Sequence, residues 1–377
     1  MKYVTFSFLI LFTPFLSFIA PHYNLPGEHK TLAIGSKAPD FHLKGVDGKM
    51  YSLESFKDAK VLVIVFTCDH CPTAQAYEDR VIQLTKDYKS RGVAVVAIMP
   101  NDPKSVQLNE LGYTDLGDTY EEMKIRAQEK HFNFPYLYDG DNEATANAYG
   151  PIATPHAFIF DQDRILRYQG RIDDVEKPTG TPKNKDAQNT IDALLAGREV
   201  PVTTTKVFGC SIKWAEKEEH IAQADSEWAT HPVTLDTIDS AGIRNLIKNN
   251  PDKLLLINVW ATWCGPCVNE FPSLVDINRM YRRRDFQFIS ISADDPAKKD
   301  KALKMLRSLH AANTNYIFNT DNKYQLIDAV DPNWDGALPY TILAEPGGKI
   351  VYSKQGPIDP QELKTTIVDN KLIGRYY

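Results

Sequence analysis

Twice in this chain an apolar, β-branched run of strand length breaks off into a Cys-X-X-Cys pair, and a helical pattern follows at once. Lys253 to Ala261, KLLLINVWA, leads into TWCGPC and then VNEFPSLVDINRMYRRR, where Phe271, Leu274, Val275, Ile277 and Met280 recur at helical spacing. Val61 to Phe66, VLVIVF, leads into TCDHC and then PTAQAYEDRVIQLTKDYKSRG. A run without polar alternation suits a strand covered on both faces, so each pair is expected where a buried strand hands over to a helix. The chain holds five cysteines, Cys68, Cys71, Cys210, Cys264 and Cys267, and four of them form these two close pairs. Structural staples in an exported protein would be more numerous and widely spaced, so the pairing points to thiol chemistry.

The remaining pattern also occurs twice. After CGPC come a strand (FQFISISAD), a helix (PAKKDKALKMLRSLHA), a short strand (NYIF) and a helix around Tyr324 to Val330. The hairpin YTILAEPGGKIVYS and a helix from about Asp359 complete that half. After CDHC come VAVVAIMP, a helix near Glu121 to Lys130, FPYLYD, a short helix over Glu143 to Tyr149, and the hairpin HAFIFDQDRILRYQGR turning at Asp161 to Asp163. GSKAPDFHLKGVDGKMYSLESF in front reads as an extra hairpin. This order predicts an α/β fold with a mixed β-sheet flanked by helices in each half. The boundaries are expected at 32–199 and 232–377, with 200–231 as a linker carrying a solvated helix, AEKEEHIAQADSEWA.

A length of 377 residues, 43% hydrophobic, gives each half enough chain for its own core. The net charge of −6 comes without a basic stripe, which argues against a nucleic-acid partner. MKYVTFSFLILFTPFLSFIA at the start reads as an export segment. Cleavage after Ala20 and retention as an N-terminal anchor both stay open, because Phe18 is bulky for a cleavage site and the apolar stretch is nearly of membrane length. The expected location is the periplasm or cell envelope, soluble or N-terminally anchored.

WATWCGPC with the following NEFP resembles the exported thioredoxins of the ResA/TlpA type. GSKAPDF, the DG turn, SLESF, the CPTAQAYEDR helix and TPHAFIFD resemble the AhpC/TSA or redoxin group of peroxiredoxin-like proteins. The resemblance implies two tandem thioredoxin-like three-layer domains. At a strand-to-helix junction the helix N-terminus lowers the pKa of the first thiol and the second thiol resolves the mixed disulfide. Cys264 and Cys68 are therefore expected to attack, with Cys267 and Cys71 as resolving partners.

The resemblance further implies a cis proline opposite each pair, beside which an extended substrate would bind: Leu338-Pro339 and Thr154-Pro155, with Trp263 as a further substrate contact. Thioredoxins commonly keep a buried acid six positions before the first cysteine, where this chain has Asn258 and Leu62. Glu270, on the cysteine's side of the helix, is the expected base for Cys267, as ResA-like proteins carry an acid there. Gly265-Pro266 is the dipeptide of strongly reducing sites, on the order of −270 mV, and His70 beside Cys71 predicts a more oxidising first pair. Cys210 is either a buried small residue or a third redox cysteine reaching toward CDHC.

The leading expectation is a thiol-disulfide oxidoreductase that needs no cofactor, takes electrons from a membrane donor of the transmembrane thiol-reductase type and passes them to client protein disulfides. Apocytochrome c is one client the resemblance suggests. A thiol peroxidase is the second expectation, weakened because Ile64 and Cys68 stand where a PxxxTxxC signature wants Pro and Thr. A copper-handling module is the third, in which a cysteine pair and a distant His bind Cu(I). A structural metal site at CDHC, with His70 inside the pair and His131 or His156 completing it, also stays open. A fourth has one active unit and one that docks partners.

Overall fold

The computed structural model describes residues 29–375, so the export segment lies outside the described residues. The first unit is a seven-stranded sheet ordered β2-β1-β5-β4-β3-β6-β7. Its strands are β1 (Leu43–Gly45), β2 (Met50–Tyr51), β3 (Val61–Phe66), β4 (Val93–Met99), β5 (Tyr136–Tyr138), β6 (His156–Phe160) and β7 (Leu166–Gly170). β3, β4 and β5 run parallel, while β6 returns antiparallel along β3. Every residue of β3 is buried, as its unbroken apolar run requires.

Helices α1 (Pro72–Tyr88), α2 (Tyr120–Glu129), α3 (Ala144–Tyr149) and α4 (Asp186–Leu195) accompany this sheet. Val61, Val63 and Val65 face α1 and α4 together with both cysteines, whereas Leu62, Ile64 and Phe66 face α3. The alternation is that of any strand, here with both faces covered.

α5 (Glu218–Ala229) leads into the second unit, whose strands are β8 (Asp236–Ile238), β9 (Leu254–Trp260), β10 (Phe286–Ser292), β11 (Thr314–Phe318), β12 (Tyr340–Ala344) and β13 (Ile350–Gln355). The helices are α6 (Ser240–Lys248), α7 (Gly265–Tyr281), α8 (Lys299–Ser308), α9 (Lys323–Val330) and α10 (Pro360–Asp369). The sheet order is β13-β12-β9-β10-β11-β8. Both units thus share a core of parallel strands with an antiparallel hairpin beside the cysteine-bearing strand, the mixed sheet that the pattern predicts.

The structure adds an edge that the pattern did not reveal, β8 followed by α6, where Asp239 caps the helix through a hydrogen bond from the Gly242 N–H at 2.7 Å. It also divides the stretch expected to be a linker. Residues 203–215 lie on the first unit: Gln169 pairs with Thr204, Thr154 with Cys210, and Ile212 and Trp214 are buried in its core. Burial of those two apolar side chains explains why this stretch does not behave as solvated chain. The expected helix is present as α5, mostly exposed except for Trp228.

The units meet where Leu108 and Leu111 of the first pack on the core of the second. The buried Asp115 carboxylate receives Arg375 at 2.6 Å and the Thr365 hydroxyl at 2.7 Å there, and Tyr281 donates to the Thr114 carbonyl at 2.8 Å.

Candidate functional site

In the second unit β9 ends at Trp260 and α7 starts at Gly265, leaving Cys264 as the N-cap of the helix. Helix-terminal N–H groups have no intrahelical partner, and here the Cys267 N–H points at Cys264 Sγ, 3.3 Å away. Cys264 and Cys267 are joined as a disulfide. The turn before them is pinned by Asp294, a buried carboxylate that accepts the Thr262 N–H at 2.9 Å and the Thr262 hydroxyl at 2.7 Å. Trp263 stands beside this turn, 56% exposed, with the Lys323 ammonium 5.4 Å from its ring centre. The Leu338-Pro339 bond is cis, and Tyr340, the next residue, pairs with Val259 near the end of β9.

Asn258 and Glu270 form one buried unit. Asn258 donates its amide to Glu270 Oε1 at 3.0 Å, and the Ile358 N–H donates to Oε2 at 2.8 Å. Burial raises the Glu270 pKa, with the Ile358 and Asn258 hydrogen bonds acting against it. Glu270 also lines a surface pocket with Pro266, Ser273 and Pro357. Position 258 thus holds an amide that donates to a carboxyl from the neighbouring helix. If Glu270 serves Cys267 as base, Glu270→Gln removes an inflection above the ordinary carboxylate range from the pH profile of Cys267 alkylation and slows mixed-disulfide resolution roughly tenfold. An unchanged profile would remove the role.

The first unit places its cysteines differently. The Thr154-Pro155 bond is cis, and the following His156 pairs with Phe66 just as Tyr340 pairs with Val259. Cys264 stands five residues beyond Val259, and the residue five beyond Phe66 is Cys71. Cys71 is accordingly the N-cap of α1. Cys68 lies in the preceding loop, and Ala74 takes the place that Cys267 has in the second unit. The expected order, Cys68 at the helix start and Cys71 one turn inside, is not the one the structure shows. Pro72 is the reason: it occupies the first helical position, so the helix begins after Cys71. The same register makes Val65, and not Leu62, the counterpart of Asn258; Leu62 faces the opposite side of the sheet.

Three free thiols gather at this point. Cys68 Sγ lies 3.0 Å from Thr154 Oγ1, Cys71 Sγ lies 3.4 Å from the Thr154 carbonyl oxygen, and the Cys210 N–H donates to Cys71 Sγ at 3.3 Å. Burial opposes ionisation of Cys71, yet hydrogen bonds from Cys210 and Cys68, the Ala74 N–H and the charge of His70 hold its thiol well below the ordinary range. Cys68 moves the other way, pushed well up by burial, by its hydrogen bond to Cys71 and by Asp118. Cys210 is also raised, first by its hydrogen bond to Cys71 and then by burial. Of the three thiols, Cys71 is the one that these contacts favour as thiolate.

Asp118, fully buried, organises the loop between Cys68 and Cys71. It accepts the Asp69 N–H at 3.0 Å, the His70 N–H at 3.1 Å, His70 Nδ1 at 2.6 Å and the Asn101 amide at 2.7 Å. Burial disfavours the His70 cation, but Asp118 raises its pKa on balance. Asp69, buried under the Tyr136 hydroxyl at 3.0 Å, has its carboxyl pushed well above the ordinary range by burial, then by Asp118 and Glu78.

Cys68, His70 and Asp118 offer metal-ligand atoms within 4.8 Å of one another. His131 and His156 do not join them. His131 is exposed, while His156 accepts the Ile152 N–H at 3.3 Å and bonds Gln169 at 3.0 Å, and burial pulls its pKa down to about 4. Asp118 and Asp294 both escaped sequence reasoning. Asp294 sits just beyond β10, the strand next to β9, and Asp118 sits in the loop just before α2, positions that mark nothing in a single sequence.

The AhpC/TSA family model matches residues 34–169 and the Redoxin family model matches residues 229–372. The chain is similar to the thiol:disulfide interchange protein CycY of Rhizobium leguminosarum bv. viciae, 31% identical over 162 residues, 40% of this chain and 74% of that one. It is similar to the thiol-disulfide oxidoreductase ResA of Bacillus subtilis (strain 168), 30% identical over 113 residues, 30% of this chain and 59% of the relative's length. Among solved structures, a hypothetical protein of Sinorhizobium meliloti 1021 is 32% identical, covering 49% of this chain and 97% of its own, with a TM-score of 0.44.

Proposed function

The chain belongs to the thiol-disulfide oxidoreductase family, as an AhpC/TSA unit and a redoxin unit in tandem, and from that premise we propose that it exchanges electrons with client protein disulfides through two unequal cysteine sites. The observation that carries this is the placement of Cys264 and Cys71 at equivalent helix N-termini, each beside a cis proline. Helix N-terminal N–H groups stabilise a thiolate there, and the thiolate is the nucleophile.

In the second unit Cys264 attacks the client disulfide. The mixed disulfide forms while the client's other sulfur leaves as thiolate. Cys267 then gives its proton to Glu270 and attacks Cys264, which releases the reduced client. Trp263 and the backbone at Leu338 flank the place where an extended client would lie. In the first unit Cys71 takes the attacking role and Cys68, in the loop, is its partner, the reverse of the order expected from the motif. Thr154 adjoins that pair, its hydroxyl beside Cys68 and its carbonyl oxygen beside Cys71.

The working place is the cell envelope, reached through the N-terminal segment, with a membrane thiol reductase as electron donor and envelope proteins such as apocytochrome c as clients. No helix among the described residues is long and apolar enough to cross a membrane. Cys267→Ser in the full chain, expressed in cells, should accumulate a covalent mixed disulfide between Cys264 and a client that disappears in Cys264→Ser. Absence of any adduct would overturn the reading.

The Cys71 placement also favours a peroxidase reading of the first unit. A buried thiolate at a helix start can attack a peroxide oxygen, the O–O bond breaking to leave a sulfenate on the cysteine and release an alcohol, or water from hydrogen peroxide. A neighbouring thiol then condenses with the protonated sulfenic acid to give a disulfide and water. Fast peroxide consumption that requires Cys71 and survives Cys264→Ser would establish this chemistry, and consumption no faster than that of free cysteine would remove it.

A further inference from the structure

The backbone beside a cis proline is where an extended client would pair, and in the first unit that place is already taken. The Thr154 N–H donates to the Cys210 carbonyl at 2.9 Å in an antiparallel bridge, and the Cys210 N–H turns to Cys71 Sγ at 3.3 Å. Gly209 makes the approach possible: its φ is +144°, and a Cβ there would stand 1.9 Å from the Thr154 carbonyl oxygen. On either side the strand is anchored, by the Thr204 pairing to Gln169 before it and by the Lys213 N–H on Asn101 Oδ1 at 2.9 Å after it. Among the described residues no such segment pairs with Leu338 in the second unit.

We propose that residues 208–211 act as a built-in client strand and that Cys210 is a third redox cysteine, the port through which the first site exchanges with an external protein dithiol. The inference rests on the two-site reading above. Cys68 and Cys71 are 2% and 0% exposed, while Cys210 is part exposed, so a macromolecular partner meets Cys210 first. Ala74, in the place of Cys267, leaves the helix without a resolving thiol, and Cys210 supplies one from the strand side.

The exchange balances without an added oxidant. Starting from a Cys68–Cys71 disulfide, Cys210 loses its proton and attacks Cys71 Sγ. The Cys71–Cys210 bond forms as the Cys68–Cys71 bond breaks, and Cys68 leaves as a thiolate that takes up a proton beside Thr154 Oγ1. A partner dithiol then attacks Cys210, Cys71 leaves as a thiolate at the helix start, and the partner's second thiol frees Cys210. The sum is one disulfide reduced in the first unit and one dithiol oxidised in the partner.

The test uses the full chain with Cys264→Ser and Cys267→Ser, which silences the second pair. With Cys68→Ser added, oxidised glutathione should yield an intramolecular Cys71–Cys210 disulfide by peptide mapping. A persistent Cys71–glutathione adduct beside a free Cys210 would overturn the proposal. Gly209→Ala in the same background should lower the yield of that disulfide by displacing the strand. With Cys68 present, Cys210→Ser should slow reduction of the oxidised first pair by a Cys-Gly-Pro-Cys dithiol peptide on the order of tenfold. An equal rate in Cys210→Ser sinks the relay while leaving the two-site reading intact. Failure of Cys68 and Cys71 to form a disulfide at all removes both.

Discussion

In reduced protein with Cys264 and Cys267 replaced by serine, Cys71→Ser abolishes the far-ultraviolet thiolate absorbance at neutral pH and Cys68→Ser leaves it in place. An unperturbed thiol, with a pKa of about 8.5, would be only a few per cent ionised there. Cys71 differs because four partners converge on one sulfur: the Cys210 thiol, the Cys68 thiol, the Ala74 N–H and His70. Loss of the Cys68 thiol removes one partner of the four, whereas loss of Cys71 removes the charge itself. Cys68 cannot substitute as thiolate, because burial and Asp118 both push it toward the neutral form.

A matching pH dependence follows. A depressed acid stabilises the folded state fully above its unfolded pKa and loses that contribution as pH falls through its folded value. The Cys71 contribution to the stability of the reduced first unit should therefore grow as pH rises from the lowered Cys71 value to the ordinary thiol range, and Cys71→Ser should remove it. Thiolate absorbance that survives Cys71→Ser and vanishes in Cys68→Ser would restore the order expected from the motif.

That reversal shows where sequence reading stops. The buried strands, the helices after them and the prolines before each final hairpin were legible, because each follows from local periodicity or from a fixed distance to a cysteine pair. The same distance singles out Asn258 and Glu270, which hydrogen-bond to each other. The CDHC spacing is also local, but the start of α1 is set by Pro72, a signal that outranks the pattern of the cysteines. Cys210 and Asp118 depend on register across the fold. Cys210 reaches Cys71 from 139 residues away and Asp118 reaches His70 from 48 away. Neither separation leaves a periodicity, and burial of Ile212 and Trp214 cannot be told from a solvated linker without the sheet they cover.

Asp118→Ala should destabilise the first unit by about 3–5 kcal/mol and leave the second unit's unfolding transition where it is. The carboxylate takes four hydrogen bonds from groups that are themselves buried, two of them backbone N–H groups of the loop that connects Cys68 to Cys71. Without it those two amides, the His70 ring and the Asn101 amide, all of buried residues, lose their acceptor, and burying an unpaired donor costs more than its bond contributes. The signs fix a pH window. Asp118 is lowered on balance against its burial, so its contribution is present above the ordinary carboxylate range and lost as pH falls through the lowered value. His70 is raised, so its contribution is full below about 6.5 and lost as pH rises through the raised value. The loop is held best in mildly acidic solution, and Asp118→Ala removes that optimum. Amide hydrogen exchange at Asp69 and His70 reads the effect locally. Both should exchange many times faster in the variant, since 3 kcal/mol alone is a factor of about 150 in the opening equilibrium. Exchange as slow as in the unaltered chain would mean that the loop is held by its neighbours and that Asp118 serves only the charge on His70.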